Sequence, residues 1–386
     1  MAVFLELGPA RAVPSSFGGF RGRACCAVTT FREWQRSVTE RLDRMQRRHP
    51  VLGFPLAVLY KFVDDQGSYL AALITYYGFL SLFPLLLLLL LLTSVLGFVL
   101  GGDAHLQQRV LNSTLSQFPV IGSQLGDPKG LRGSGAGLVL GLLGAVYGGL
   151  GVAQAGQNAM NTAWHVPRNN RPNPIKTRLR SLLLLATVGL GVLATTILSA
   201  LGSSAGAFGA SFGVGFKVVL TAVAVLVNAG IFLLAFRVAT ARDVSFGEIA
   251  PGALLAGLGW QLLQAFGTAY VGHVVKNASA TNGVFALVLG LIAWLYLEAV
   301  IVVLCAEVNV VRSRRLYPRA LLTPFTDNVQ LTSGDERAYT SAAKAQRNKG
   351  FQQIDVSFHP DDTPAQPAPG DTAPDETAGP GRPAGR

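Results

Sequence analysis

Charge is scarce in this sequence. Only 14% of its 386 residues are Asp, Glu, Lys or Arg, where an ordinary soluble domain carries about a quarter. Cysteine is scarcer still, with Cys25, Cys26 and Cys305 and no CxxC spacing, so neither a disulfide framework nor a thiolate zinc site is available. Cys25 and Cys26 are adjacent and could carry acyl chains or stand as plain thiols. The histidines (His49, His105, His165, His273 and His359) are isolated, and none makes the HxH or HExxH spacing that a metal hydrolase uses. There is no GxxxxGK[ST] phosphate loop and no GxGxxG after a strand, and the two GxSxG runs, at 202–206 and 209–213, lie in a Gly/Ser-rich stretch with no strand before it, so neither reads as a nucleophile elbow. These absences leave an ATP-driven pump, a serine hydrolase, a dinucleotide enzyme and a metal-dependent nuclease without residues to run on. The expectation is a chain with no cofactor, no metal and no enzymatic activity.

What the sequence has instead is apolar bulk. Half its residues are hydrophobic, and they lie in nearly uncharged blocks of about 20, the length that crosses a bilayer as helix. The fold class is all-α, a polytopic integral membrane protein with six transmembrane helices. Residues 1–49 form a basic cytoplasmic leader ending in an amphipathic helix over 31–49. Residues 50–315 form the six-helix membrane domain, entered through a short interfacial helix over 51–66. Residues 316–386 form a cytoplasmic tail, largely disordered, whose Pro/Ala/Gly-rich end cannot bury a core.

The spans are expected at about Leu70–Leu100, Gly135–Ala159, Ser181–Gly202, Val218–Phe236, Phe246–His273 and Gly283–Val311. The first is about 46 Å long as helix against a hydrocarbon core of about 30 Å. Pro84 near its middle cannot donate to a carbonyl one turn back, so a kink is expected there. With six spans, eighteen basic residues in the segments next to the spans (32–61, 168–180, 237–242 and 312–319) fall on the side of the termini and five on the other. The positive-inside rule then places both termini in the cytoplasm. The net charge of +11 is explained by those loops and calls for no nucleic acid.

Polar residues within apolar helices are the candidate functional positions. Glu298 sits near the centre of the sixth span, with Cys305 and Asn309 on the same helical stripe. It reads either as a proton, cation or substrate contact or as a carboxyl bonded to a neighbouring helix. Glu307 faces the other way, at the depth of Arg237, and an ion pair between the two is expected. Asn158 and Asn161 cluster at the end of the second span and could line a cavity or join helices. Tyr76 and Ser81 lie just ahead of Pro84, where hydroxyls commonly satisfy the freed carbonyl. Gly137, Gly141, Gly144 and Gly148 repeat at small-residue spacing and predict close helix packing.

Four segments, AALITYYGFLSLFP (71–84), QNAMNTAWHVP (154–167), PGALLAGLGWQLLQ (251–264) and NGVFALVLGLIAWLYLEAVIVVLCAEVN (282–309), resemble the YihY/BrkB family of bacterial inner-membrane proteins over roughly residues 50–315. The resemblance implies six spans and residence in the plasma membrane. It brings no settled activity. Some members carry the label ribonuclease BN, a misassigned name, and others are described by a virulence or serum-resistance phenotype. Glu307 and Asn309 match the family's last span. Glu298 stands where a small residue is usual, and Cys305 where glycine is. The functional expectation is a transporter-like protein moving a lipid or envelope-related amphiphile. The alternative is a structural or assembly protein that transports nothing. The bilayer is its one firm partner, and the oligomeric state is left open.

Overall fold

The computed structural model describes residues 50–82, 135–207, 214–277, 280–321, 323 and 329–358. The expected leader, the kink at Pro84 and the low-complexity end beyond 358 lie outside the described residues. Within them the chain is all helix, with no strand.

Helix α1 spans Pro50–Asp64 and α2 covers residues 67–82. Then follow α3 (Gly135–Ala163), α4 (Pro174–Ala207), α5 (Val214–Ala239), α6 (Phe246–Asn277), α7 (Ala280–Arg314) and α8 (Ser333–Ala345). Pro50 opens α1 at the first helical position, where its missing N–H costs nothing.

Three described helices are long and apolar enough to cross a membrane: Thr221–Ala239, Phe246–Gly267 and Val288–Arg314. Their apolar residues are not all turned inward. Val218, Leu226, Leu254, Leu258, Leu262, Phe266, Leu289 and Leu297 are all exposed. So much contiguous apolar surface marks contact with something other than water, and on helices of this length that is lipid. The molecule is a multi-pass membrane protein.

Consecutive helices pack as antiparallel neighbours, α3 on α4, α4 on α5, α5 on α6 and α6 on α7. The last of these also packs on α1 and α3, and α5 also packs on α3. The α6–α7 contact is possible because α6 has no side chain at three places. A Cβ on Gly252 would lie 2.1 Å from the Cys305 carbonyl oxygen, one on Gly259 2.9 Å from Ile301, and one on Gly267 2.3 Å from the Trp294 ring. Seven- and eight-residue spacing keeps these glycines on one stripe, and the helices approach there to backbone contact. At Gly148, singled out from sequence, a Cβ would lie 2.7 Å from Ser81 of α2. Gly144 is half-buried in the same helix. Gly137 and Gly141 lie within α3, and the surroundings of their side-chain positions fall outside the described residues.

Two of these helices end alike. After α3, His165 has φ 47°, its N–H donating to Thr162 and that of Val166 to Asn161. After α7, Arg315 has φ 53°, its N–H donating to Arg312 and that of Leu316 to Val311. Both are the two-bond helix stop usually built on glycine. A side chain in this left-handed region costs about 1 kcal/mol, so other contacts must hold these residues there.

The tail read from sequence as largely disordered is helical in part. Thr332 caps α8 in a reciprocal box with Asp335. Asp335 accepts a hydrogen bond from the buried Arg319, which reaches on to Asp64 of α1 at 2.8 Å. The Tyr60 hydroxyl donates to the Leu321 carbonyl at 2.7 Å. The signal for this helix was present in the sequence as Thr-x-x-Asp. Its polar composition hides it, because what it buries is only a few small groups, Gly334, Asp335 and Ala338.

Candidate functional site

The largest concentration of buried charge lies where α1, the ends of α3 and α7, and α8 meet. Lys61 is one turn from the end of α1, and Asp65 follows in the tight turn to α2, its N–H donating to the Lys61 carbonyl at 2.9 Å. The i, i+4 spacing sets the two side chains on one face, and they form an ion pair. The Lys61 ammonium also donates to the Ala163 carbonyl at 3.0 Å and lies 3.3 Å from Glu307 Oε2 of α7. Lys61 and Glu307 are 1% and 0% exposed, so the ions are removed from water together.

His165 completes the cluster. Its left-handed backbone turns the ring inward, with Nε2 2.8 Å from Asp65 Oδ1 and Nδ1 2.6 Å from Ser341 Oγ of α8. Those two contacts explain why the position tolerates its backbone. Burial is the main reason the His165 ring titrates below its ordinary 6.5; the hydrogen bond and charge of Asp65 oppose it, and the positive charges of Lys61 and Arg314 add to it. Burial opposes charge on Asp65, but the hydrogen bond with His165 and the Lys61 ammonium prevail and hold its carboxyl below the usual 3.8. The resting arrangement outside the spans is therefore a neutral imidazole against an ionised aspartate. Beside it, Arg314 donates to the Trp164 carbonyl, and Arg242 stacks over the Trp164 ring at 5.2 Å.

The ion pair expected between Glu307 and Arg237 is corrected here. Glu307 faces Lys61, while Arg237 is exposed on α5 and stacks over the Phe246 ring at 4.2 Å. The azimuth of Glu307 points it at α1, which the sequence placed at the interface and outside the bundle.

The remaining sequence candidates are distributed among helix contacts. Asn161 Oδ1 accepts from the Ala241 N–H at 2.8 Å and Asn309 Oδ1 from the Gly252 N–H at 2.7 Å. The second of these ties α7 to the α6 backbone just past Pro251, at the glycine where the two helices come closest. Asn158 accepts from Arg171 at 3.3 Å. Ser81 donates to the Gly78 carbonyl at 2.8 Å, and Tyr76 is exposed, edge-on to Tyr77.

Glu298 stands apart from all of these. Its carboxylate receives the Trp294 indole N–H at 2.7 Å, a bond within α7. Cys305, one of the two residues expected on its stripe, is buried against α6.

Sequence reading missed Lys61, Asp65, His165 and Ser341. The signal that could have found the first two is an i, i+4 Lys–Asp pair in an otherwise apolar helix. His165 lies inside one of the family-like segments but was set aside because no second histidine accompanies it.

Among known proteins, the chain is similar to "Putative ribonuclease-like protein YfkH" of Bacillus subtilis (strain 168), with 25% identity over 272 residues. The match covers 68% of this chain and 96% of that protein. No solved structure matches the chain. The model of one protein family covers residues 58–328, which takes in the second half of α1, all of α2 to α7 and every residue of the ionic cluster except Ser341. The chain belongs to that family, described as Virulence factor BrkB.

Proposed function

We propose that this chain crosses the bacterial plasma membrane six times with both termini in the cytoplasm. On this reading it works as a transporter-like protein moving a lipid or another envelope-related amphiphile. The observation that carries the reading is Glu298. It lies in the Val288–Arg314 span, and its hydrogen bond to Trp294 stays within its own helix. A carboxyl that, among the described residues, bonds only within its own helix gives up little packing when it engages a polar headgroup, and an intramembrane acid is a functional candidate. The lipid-facing apolar residues of α5, α6 and α7 are compatible with an amphiphile reaching it from the bilayer.

A structural or assembly role without flux is the second reading. It is favoured by Asn161, Asn309 and Gln157, whose side chains bond across helices to Ala241, Gly252 and Ser181. The relative's name includes the words ribonuclease-like. A nuclease is left out of the proposal because the sequence offers no metal-ligand spacing and its basic residues follow membrane topology.

The test is transbilayer movement of a fluorescent phospholipid in liposomes carrying the purified protein. Protein-dependent movement that Glu298→Gln abolishes supports transport. Folded protein that moves no lipid or proton supports the scaffold reading.

A further inference from the structure

We propose that the Lys61–Asp65–His165–Glu307 cluster is a proton-binding site, loaded from the α8 face through Ser341 and His165. This goes beyond transport, because the site would bind its proton whether or not anything is carried.

The first support is a continuous chain of proton-exchanging groups. Ser341 Oγ is 2.6 Å from His165 Nδ1, and His165 Nε2 is 2.8 Å from Asp65 Oδ1. Asp65 Oδ2 pairs with Lys61, which lies 3.3 Å from Glu307 Oε2. Exposure falls along this line, from a half-buried Ser341 to a Glu307 that no solvent reaches.

The second support is an unfilled requirement at the inner end. Among the described residues neither oxygen of Glu307 receives a hydrogen bond of sound geometry, although Lys61 lies at ion-pair distance. A buried carboxylate without hydrogen bonds is among the costliest groups a protein can hold. The Asp65 and Glu307 carboxyls also act on each other around the one ammonium. One proton added to this pair cancels a negative charge and turns one carboxyl into a donor for the other.

Other charge near the site is accounted for. Arg314 approaches from the end of α7 but donates to the Trp164 carbonyl, and Arg242 from the α5–α6 turn pairs with Glu248 at 3.4 Å. The α8 side contributes Ser341, whose hydroxyl also reaches the Ala338 carbonyl at 2.9 Å.

Burial keeps the His165 ring neutral, which suits it to relaying a proton and not to holding one. A proton taken from water through the Ser341 hydroxyl arrives on Nδ1, and the proton on Nε2 leaves to Asp65 Oδ1. The ring resets by exchanging its tautomer. One proton enters from water, one resides on the carboxyl pair, and no other bond changes.

The test is pH-jump infrared spectroscopy on the full chain in liposomes, from about pH 8 to about pH 5, the range in which an imidazole relays protons. The signal is the carbonyl stretch of a neutral carboxylic acid. The expected result is a band that both Glu307→Gln and Asp65→Asn remove or displace and that persists in Glu298→Gln, which removes only any signal of its own carboxyl. In His165→Asn, chosen because asparagine tolerates the left-handed backbone, the band should still appear. Its rise should be slower by a factor on the order of a hundred, the loss expected for one proton-transfer group. Ser341→Ala should slow it less. If a carboxamide variant fails to fold, the rate in folded His165→Asn decides. A band insensitive to both carboxamides, or a rise as fast in His165→Asn as in the parent, overturns the proposal and leaves the cluster a structural clasp.

Discussion

The two halves of α7 are held by different physics. Toward its C-terminus, Glu307 and Asn309 meet Lys61 and the Gly252 N–H, and side chains from α1, the end of α3 and α8 close over them. Toward its N-terminus, Ile301 and Trp294 lie in the spaces left by Gly259 and Gly267 of α6, and the polar group there, Glu298, bonds within its own helix. The first half is specified by partners that must each be present. The second is specified by shape, and among the described residues its carboxyl bonds only within α7.

Removing an ion should therefore cost most. Lys61→Met leaves Asp65 and Glu307 buried without their ammonium and should lower stability by roughly 4 kcal/mol, read as thermal unfolding in detergent. Wild-type stability in this variant would show that the charges are solvated and the cluster is no anchor.

Filling the seam comes next. Gly252→Ala places a methyl against the Cys305 carbonyl and Asn309 and should cost about 3 kcal/mol by overpacking. Here the two halves meet, so loss of the Asn309–Gly252 bond, seen by hydrogen exchange at the start of α6, should accompany it. Unchanged exchange would separate the seam from the clasp.

A single cross-helix bond is worth less. Asn161→Ala strands the Ala241 N–H and should cost about 1 kcal/mol, measurable as a small drop in melting temperature.

The acid limb of stability has a defined sign. His165 titrates below 6.5 when folded, so the unfolded chain binds more protons as pH falls past that value, and stability declines from there downward. The contribution is complete above 6.5 and is lost toward acid. Asp65, also depressed, adds a second decline once pH falls below 3.8. His165→Asn should flatten the first decline and leave the second, as a melting-temperature profile against pH would reveal. A profile that keeps its first decline would assign that limb elsewhere.

The smallest effect is expected at Arg237. It is exposed and stacked on Phe246, and Arg237→Gln should shift stability by less than about 1 kcal/mol. A large loss would restore its expected pairing with Glu307.

The sequence by itself determined the class of molecule and the helices that build it. Scarce charge and apolar blocks of spanning length can be satisfied in few ways, and the expected spans from Gly135 to Val311 each fall within one of α3 to α7. It also marked Glu307, Asn309 and Asn161 as buried polar groups, because such residues are conspicuous in apolar surroundings. Tertiary structure alone decided their partners. Lys61 and Glu307 are 246 positions apart, and His165 reaches Ser341 across 176. Helical period fixes which face of its own helix a residue occupies. It carries no information about which other helix turns toward that face. The pairing of Glu307 with Lys61, and the docking of α8 on the cluster, depend on how α1 lies against α7, and that is set by many weak contacts no local pattern encodes.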